Sequence, residues 1–352
     1  MKTKIAKSIK IIPNDGLFFG ERKSFDAGES NWINSRNMPY PSVFYGAIFA
    51  ILYSENPDKI KKEVDTQKTD EDLYKFLEEN LEIKDIYICK DGERIIKIPL
   101  DIYLDKNCKQ IMYGAFGKNP LADLDELEYL LFPPQSNKVL SNDNNFYMYK
   151  YQLYKYENKY KDNIEIIKDT NIFKRREKIG IQLNKNGTAE EGKLYRINYS
   201  YFKDENYYFQ VDFNIKADIT IPKKGFMKLG GEGKTCVYEV KNREIKNKET
   251  IPKGNYKIVL TSPAILQNNL LSTWKPDFGQ DVEVKGAVIR GKEYIGGFDQ
   301  RKGKEKEKAI KIGVPEGSVF KVEVNKNIDK LEMKNGYHAF KGFNKFIIVK
   351  EK

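Results

Sequence analysis

The chain of 352 residues is 40% hydrophobic and 13% aromatic, and 62 lysines and arginines against 51 acidic residues give it a formal charge of +11. This composition excludes an intrinsically disordered protein, and the length predicts two domains that each hold a core. The basic balance favours a polyanionic partner, although lysine-rich proteins of biased composition share it.

Cysteine and histidine are scarce. Cys89, Cys108 and Cys236 form neither a CxxC pair nor a metal-ligand spacing, so we expect a reducing, cytoplasmic location and no metal or cofactor. No signal peptide and no membrane-spanning apolar run is recognisable. His338, the only histidine, is predicted to be a surface or turn residue, so no His pair is available for catalysis. A magnesium site made of Asp and Glu alone stays open.

A strand over residues 4–12 opens the chain and ends at the turn-forming residues 13–16. A loop follows that interleaves aromatic side chains such as Phe18 with the cations Arg22 and Lys23. Such a loop can stack bases and neutralise phosphates, or it can fold over its own hydrophobic residues. Both interpretations stay open.

Pro41 and Ser42 introduce an apolar helix, and a second helix is predicted over residues 70–80. Gly46 lies inside the first helix, where glycine costs about 1 kcal/mol relative to alanine. We therefore expect another backbone to approach Gly46 closely.

The middle of the chain is less regular. A hairpin is predicted over residues 84–104 with its turn at Asp91 and Gly92, followed by a short acidic helix over 122–132. Residues 141–161 show no clear period and are interpreted as irregular.

Residues 174–202 predict a long hairpin, because two alternating arms flank a polar tip that contains Asn186 and Gly187. Cations follow its base and its arms: Lys174, Arg175, Arg176, Lys178, Lys185, Lys193 and Arg196. The hairpin can insert beside a base-paired strand, or it can be a solvated surface ribbon. A further strand over 207–221 follows it.

The stretch 225–240 predicts a strand, a glycine-rich turn and a second strand. Gly230, Gly231 and Gly233 let backbone amides approach an anion, and Lys228 and Lys234 bracket them. A nucleotide-binding P-loop is disfavoured, because Lys228 replaces its first glycine and a strand follows where a helix is needed. A plain tight turn and contact with a nucleic-acid backbone both stay open.

The C-terminal part predicts a similar order of elements. They are a strand over 254–261, a helix over 264–271, a hairpin from 282 to 324 with a lysine-rich tip at 301–308, a helix over 328–333 and a strand over 346–350. We therefore predict an α+β fold of two ferredoxin-like (RRM-like, βαββαβ) domains, 1–240 and 241–352, with a protruding β-hairpin thumb and glycine-rich loops.

Several short motifs, taken in their order, resemble one family. They are Pro13-Asn14-Asp15, Phe25-Asp26-Ala27-Gly28, Pro41-Ser42 with Tyr45-Gly46-Ala47, Ile179-Gly180-Ile181 with Gly192-Lys193-Leu194-Tyr195, Leu229 to Gly233, and Pro315 to Phe320. Over nearly its whole length the chain resembles the RAMP subunit of the type III-B CRISPR Cmr effector complex that holds the 5′ end of the guide RNA.

The resemblance implies a non-catalytic scaffold that binds the repeat-derived 5′ tag of crRNA and, through the complex, meets target RNA. It implies two protein partners, the large polymerase-like Cmr subunit and a backbone RAMP subunit, and a thumb over residues 179–199. The RNA-binding residues expected from the motifs and the cationic pattern are Asn14, Arg22, Lys23, Ser42, Tyr45, Arg175, Arg176, Lys178, Arg196, Lys228, Gly230, Gly231, Gly233 and Lys234. Near the N-terminal loop and the thumb, this chain often has Lys, Asn or Gln where the family usually carries arginine, and lysine keeps the charge but loses the bidentate geometry.

Two other functions stay open. One is a metal-independent guide-processing endoribonuclease of the same architecture, in which Tyr45 or Lys234 would activate the 2′-hydroxyl. The other is a scaffold that contacts only proteins.

Overall fold

The computed structural model describes residues 4–20, 31–33, 35–66, 69–105, 110–119, 128–143, 145–159, 164–183, 189–244, 250–267, 275–299 and 306–351. The chain forms two compact units, each made of two stretches. The first unit is Met1–Leu81 with Asp169–Asn242, and the second is Glu82–Lys168 with Arg243–Lys352. The predicted boundary at residue 240 lies next to the end of the first unit, whereas residues 82–168 group with the second. The division into two domains, 1–240 and 241–352, remains a prediction.

Helices are few and mostly short among the described residues. The α-helices are α1 Pro41–Glu55, α2 Lys62–Thr66, α3 Asp70–Asn80, α4 Leu153–Glu157 and α5 Asp169–Ile172, with a π-helical turn at Pro57–Lys61 and 3-10 turns at Lys150–Gln152 and Ala339–Lys341. None of these helices is both long and apolar enough to cross a membrane.

Strands dominate the fold. The strands before residue 203 are β1 Lys4–Pro13, β2 Asn31–Ile33, β3 Leu81–Lys90, β4 Glu93–Lys97, β5 Ile102–Asp105, β6 Ile111–Tyr113, β7 Ala115–Lys118, β8 Tyr129–Phe132, β9 Leu140–Ser141, β10 Phe146–Tyr149, β11 Ile166–Lys168, β12 Phe173–Leu183 and β13 Ala189–Phe202. The later strands are β14 Tyr207–Lys216, β15 Lys224–Lys228, β16 Thr235–Asn242, β17 Gly254–Leu260, β18 Ala264–Ile265, β19 Val282–Val288, β20 Glu293–Ile295, β21 Phe298–Asp299, β22 Lys306–Glu307, β23 Lys311–Val314, β24 Val319–Val324 and β25 Phe346–Lys350.

The first unit contains an antiparallel sheet in the order β14-β1-β16-β15. Helix α1 packs on β15 and α3 packs on β14, and Phe44 of α1 meets Phe209 with ring centroids 5.2 Å apart. Phe44, Ile48 and Leu52 recur every four residues and are completely buried, so one stripe of α1 forms the core against this sheet. A second sheet has the order β12-β13-β2, in which β2 runs parallel to β13.

The second unit is built on a six-stranded sheet in the order β25-β17-β24-β19-β8-β7. Strands β11, β10, β4 and β3 form a further ladder, and β18-β23-β20, β6-β5-β9 and β21-β22 form smaller sheets. The core of the C-terminal stretch includes Phe320, Val322 and Val324 on β24 and Ile258 on β17. The architecture is therefore mixed α+β and mostly sheet, in agreement with the predicted fold class.

Several predicted elements are confirmed where a strong local signal specifies them. The first strand, both N-terminal helices, the hairpin turn at Asp91 and Gly92, the 174–202 hairpin, and the strands around the glycine-rich turn are all present. Asp91 and Gly92 both have positive φ, at 51° and 92°, as a two-residue hairpin turn requires. The residues 184–188 at the tip of the 174–202 hairpin lie outside the described residues.

Other predictions are wrong, because pairing between distant segments overrides local pattern. Tyr129–Phe132 is a strand paired with β7, and Ala264–Ile265 is a strand paired with β23, where helices were expected. Residues 122–127 and 268–271 of the two predicted helices lie outside the described residues. Residues 141–161 hold β10 and α4. Residues 328–333 contain no helix, and Ile328 instead bridges to Ile251.

The expectation for Gly46 is also wrong. Gly46 is exposed, and apart from its chain neighbours and the backbone of its own helix no described atom lies within 4 Å of the position a Cβ would take.

Candidate nucleic-acid interface

The loop that leaves β1 joins two of the predicted binding elements. Leu17 donates its backbone N–H to Ser200 of β13 at 2.8 Å and accepts from the Ser200 N–H at 2.9 Å. The next residue, Phe18, accepts a 2.8 Å hydrogen bond from the Gly231 N–H in the glycine-rich turn. Residues 14–20, which we call the connecting loop, therefore fix the base of the hairpin and the glycine-rich turn to each other.

The glycine-rich turn closes with a hydrogen bond from the Leu229 N–H to the Lys234 carbonyl at 3.0 Å. Gly230 has a φ of 83°, and a Cβ at that position would lie 2.5 Å from the Phe18 carbonyl oxygen. Gly233 has a φ of 63° and open space around it. Gly230 is therefore required both by its conformation and by the approach of the connecting loop. Because Thr235–Asn242 is a strand, the arrangement is not that of a P-loop.

Lys234 is held inside this arrangement by an acid that the sequence analysis did not select. Its Nζ lies 3.1 Å from the Asp15 carboxylate and 4.4 Å from the centroid of the Tyr199 ring. Partial burial lowers the pKa of Lys234, but the hydrogen bond and charge of Asp15 outweigh burial and raise it overall. A hydrogen bond from the Gly16 backbone and then the Lys234 ammonium lower the pKa of Asp15. Lys234 is consequently charged at neutral pH, and Asp15 offsets its charge.

Asn14 and Lys228 lie on either side of the glycine-rich turn, and of these two side chains only that of Asn14 has a hydrogen-bond partner among the described residues. The exposed Asn14 donates its side-chain amide to the Thr235 hydroxyl at 3.2 Å, and its backbone N–H to the Thr235 carbonyl at the same distance. Lys228 is exposed at the end of β15. Asn14 therefore fixes the start of the connecting loop to β16, while Lys228 presents its charge to solvent.

The hairpin cations divide between two faces of the ribbon. Arg176 and Lys178 share one face, because side chains alternate along β12. Arg175 lies on the other face, and so does Arg196, which stands opposite Ile179. β12 is the edge strand of its described three-stranded sheet, so a polyanion that follows this edge would meet cations from both faces.

Two hairpin arginines have partners within the protein. The Arg176 guanidinium lies 5.4 Å from the centroid of the Tyr201 ring, and Arg196 forms an ion pair with Glu177 at 3.6 Å. Arg175, Arg176 and Lys178 are all exposed. The hairpin thus offers positive charge with aromatic support.

Ser42 is the second residue of α1 and is half-buried, directly after Pro41 at the first turn. Tyr45 lies one turn further and is 4% exposed, and its hydroxyl donates to the Leu77 carbonyl at 3.0 Å. Burial, and then the charge of Glu78, raise the pKa of Tyr45 well above its ordinary value. The expectation that Tyr45 contacts RNA is therefore corrected, and the same burial removes it as a group that could activate a 2′-hydroxyl.

Arg22 and Lys23 lie outside the described residues. Among the described residues before and after them, Gly20 bridges to Ser35 and β2 pairs with β13. His338 has a φ of 58° at the start of a 3-10 turn, which confirms the predicted turn position. Burial, and then Lys341, lower its pKa to about 3, so His338 is neutral at pH 7.

Within the described parts of the chain, no group of three His, Cys, Asp or Glu side chains could hold a metal ion.

Several residues that build this region were not among the RNA-binding residues expected from the sequence. Asp15, Leu17, Phe18, Tyr199, Ser200 and Tyr201 are contact residues. The only sequence signal for them was the aromatic content of the loop and of the second hairpin arm. The pairs Asp15 with Lys234, Leu17 with Ser200 and Phe18 with Gly231 join positions more than 180 residues apart, and single-sequence periodicity does not predict such contacts.

Comparisons with known proteins agree with this fold. The model of a family described as CRISPR-associated protein (Cas_Cmr3) matches residues 9–351. The chain is similar to one in a cryo-EM structure of the Type III-B Cmr-beta bound to cognate target RNA and AMPPnP, with 18% identity, a TM-score of 0.50, and coverage of 89% of this chain and 86% of that chain. A chain in the structure bound to cognate target RNA alone gives 19% identity, the same TM-score and the same coverage. No curated protein matches the chain.

Proposed function

We propose that this chain holds the 5′ repeat-derived tag of a guide RNA, from the premise that it belongs to the Cas_Cmr3 family of CRISPR-associated proteins. Membership over residues 9–351 makes it a RAMP-type subunit of a Cmr complex. In the proposed role it is non-catalytic, meets target RNA through the complex, and bridges the large polymerase-like subunit to the backbone subunits in antiviral defence.

The observation that carries the proposal is the connecting loop. One short segment ties the glycine-rich turn to the hairpin base, through the Gly231 to Phe18 hydrogen bond and the Leu17 and Ser200 pair. An RNA end that contacts one of these elements is therefore within reach of the other, and both are supported by fixed backbone. Preorganised contacts of this kind lower the entropy cost of binding.

Charge supports the same role. Lys228 beside the glycine-rich turn, and Arg175, Arg176 and Lys178 on the hairpin edge, are exposed cations. Backbone amides near glycine can approach a phosphate closely, and lysine or arginine neutralises it. We propose that these groups follow the sugar-phosphate path, that Ser42, Arg22 and Lys23 complete the tag site, and that residues 179–199 act as the thumb.

The double ferredoxin-like arrangement is also part of the proposal. The four strands β17, β19, β24 and β25 are antiparallel neighbours in the order fourth, first, third, second. That order is the order of a ferredoxin-like sheet. Such a fold fills two connections with helices; in the described residues the first of them, between β17 and β19, contains the short strand β18, and the second, between β24 and β25, contains a 3-10 turn.

The test is nuclease protection of the guide in the assembled complex. The full chain would be co-expressed with the other subunits and a guide RNA, either as wild type or with the charge reversals R175E, R176E and K178E. Protection of the tag should fall, and the salt slope of log affinity should decrease by about 0.7 for each phosphate that the variant no longer neutralises. K61E, K62E and K75E reverse the same number of exposed charges in the same unit and form the matched control.

Three results would overturn the proposal. The first is a complex that lacks this chain and still protects the tag. The second is metal-independent cleavage of repeat RNA by the isolated chain, which would make it a processing enzyme. The third is unchanged RNA retention in the reversal variant, with loss of assembly in interface variants, which would indicate a scaffold that contacts only proteins.

A further inference from the structure

The face of the first-unit sheet that lies opposite the helices carries an exposed apolar row. Phe226 of β15 stands opposite Val237 of β16, and Val237 stands opposite Ile12 of β1. Their exposed fractions are 75%, 37% and 39%. Three apolar side chains that adjoin across three strands form a continuous patch, and such a patch is typical of an interaction surface.

The alternation of the strands separates this row from the core. Met227, Tyr238 and Ile11 are neighbours of the row in sequence, and all three are buried on the face that α1 and α3 cover. The row therefore follows from the register of the sheet, since a slip of one residue would exchange the two faces. We call Phe226, Val237 and Ile12 the sheet-face row.

Charged side chains surround the sheet-face row asymmetrically. Lys224 and Lys228 lie two residues to either side of Phe226 on the same face, and both are exposed. Lys10 and Lys241 share this face with Glu239, which lies 4.0 Å from Lys224 and 3.8 Å from Lys241, while Asp212, opposite Ser8 on the same face, is buried. The surface is thus an apolar row with a positive rim.

Two kinds of partner carry the complementary negative charge, a protein with acidic side chains and a single-stranded nucleic acid. Bases stack on aromatic rings, and in the row only Phe226 has one. Val237 and Ile12 are β-branched aliphatic residues, which pack against other apolar side chains. Tyr208, the nearby aromatic residue on β14, has the Lys10 ammonium 4.1 Å from its ring centroid.

We infer that the sheet-face row docks a protein partner that presents an apolar side chain flanked by carboxylates. Phe226 is the anchor of this contact, since it is the largest and most exposed member of the row and an aromatic anchor in an interface commonly dominates its energy. The rim lysines outside the proposed phosphate path, Lys10, Lys224 and Lys241, select the acidic flanks and make the association dependent on salt. This inference rests on the proposed place of the chain in a multisubunit complex.

The experiment compares three variants of the full chain, each co-expressed with the other Cmr subunits and a guide RNA. F226D places a charge at the anchor, F226L keeps an apolar side chain without a ring, and V139D changes another apolar residue that is 66% exposed. Subunit recovery and guide-RNA recovery are measured separately by native mass spectrometry and by RNA quantification. Circular dichroism of each purified chain checks the fold.

We expect F226D to weaken recovery of a partner subunit by roughly tenfold or more, the size of an interface hot spot. F226L should lose much less, and V139D should behave as wild type. Full recovery of every subunit with F226D would overturn the inference. If F226L and F226D reduced guide RNA equally while all subunits remained, the row would be a base-stacking surface and the inference would be wrong. Absence of guide RNA from the wild-type assembly would contradict the proposed function alone.

Discussion

The ammonium of Lys234 lies 3.1 Å from the carboxylate of Asp15, so the cation at the end of the glycine-rich turn has an acidic partner within the protein. The Asp15 side chain is 60% exposed and that of Lys234 is 19% exposed. Solvent therefore screens the pair, and its contribution to stability is about 0.2–1 kcal/mol. Asp15 therefore orients Lys234 and, in the proposed function, would reduce its attraction for an RNA phosphate.

Replacement of Asp15 by asparagine should therefore strengthen RNA binding. Asp15→Asn removes one negative charge beside the proposed phosphate path, and we expect a severalfold gain in affinity at low salt that declines at high salt. The change in affinity is measured by filter binding of tag-bearing RNA to the assembled complex over a series of salt concentrations. Weaker binding at every salt concentration would show that orientation of Lys234 outweighs its charge.

The stability change of the same variant should depend on pH. The folded pKa of Asp15 is lowered, so the stabilisation is present above its ordinary value of 3.8 and is lost as pH falls through the lowered pKa. The folded pKa of Lys234 is raised, so the stabilisation is present below 10.5 and is lost above the raised value. Wild type and Asp15→Asn should differ between about pH 4 and 10 and converge in acid.

Gly230 and Gly233 provide a matched pair for the turn. Gly230→Ala combines a positive φ with a Cβ 2.5 Å from the Phe18 carbonyl, whereas Gly233→Ala has only the unfavourable φ. We expect a loss of about 1–3 kcal/mol for Gly230→Ala and a smaller loss for Gly233→Ala. Denaturant unfolding measures both. Equal losses of stability would mean that the Phe18 carbonyl does not exclude a side chain at position 230.

Gly46→Ala should stabilise the protein. Gly46 lies in the middle of α1, is exposed, and has open space where a Cβ would stand. Alanine is favoured over glycine at such a position by about 0.5–1 kcal/mol, because glycine loses more backbone entropy on folding. A higher denaturation midpoint with unchanged guide-RNA retention is the expected result, and a lower midpoint would contradict it.

A buried ion pair supports the second unit. Lys257 lies 2.5 Å from the Asp101 carboxylate, with side-chain exposures of 7% and 0%, and the Tyr156 hydroxyl donates to Asp101 at 2.8 Å. Lys257→Met would leave the Asp101 charge buried without its cation, which typically costs about 3–5 kcal/mol. The double variant Lys257→Met with Asp101→Asn should recover part of the loss. If denaturant unfolding gave the double variant the sum of two single losses, the pair would not be coupled.

The sequence predicted those elements that are specified locally. Pro41 and the four-residue spacing of Phe44, Ile48 and Leu52 identify α1, and Asp91 with Gly92 identifies a hairpin turn, because each signal lies within a few residues. β8 and β18 were missed because their partners, β7 and β23, decide their conformation.

The candidate site was predictable to a similar extent. Glycine spacing identified the turn at 230–233, and cation density identified the hairpin. Asp15 could not be identified as the partner of Lys234, because the two residues are 219 positions apart. The sequence indicated only a turn-forming role for Asp15, within residues 13–16. Tyr45 was selected from a motif, and burial was not visible in that motif.

The most direct test is RNA crosslinking with peptide mapping in the assembled, guide-loaded complex. The account predicts that the 5′ tag crosslinks to peptides of the connecting loop 14–20, the turn 228–234 and the hairpin 174–202 of this chain. Tag crosslinks confined to other subunits, or to the second unit of this chain, would contradict it.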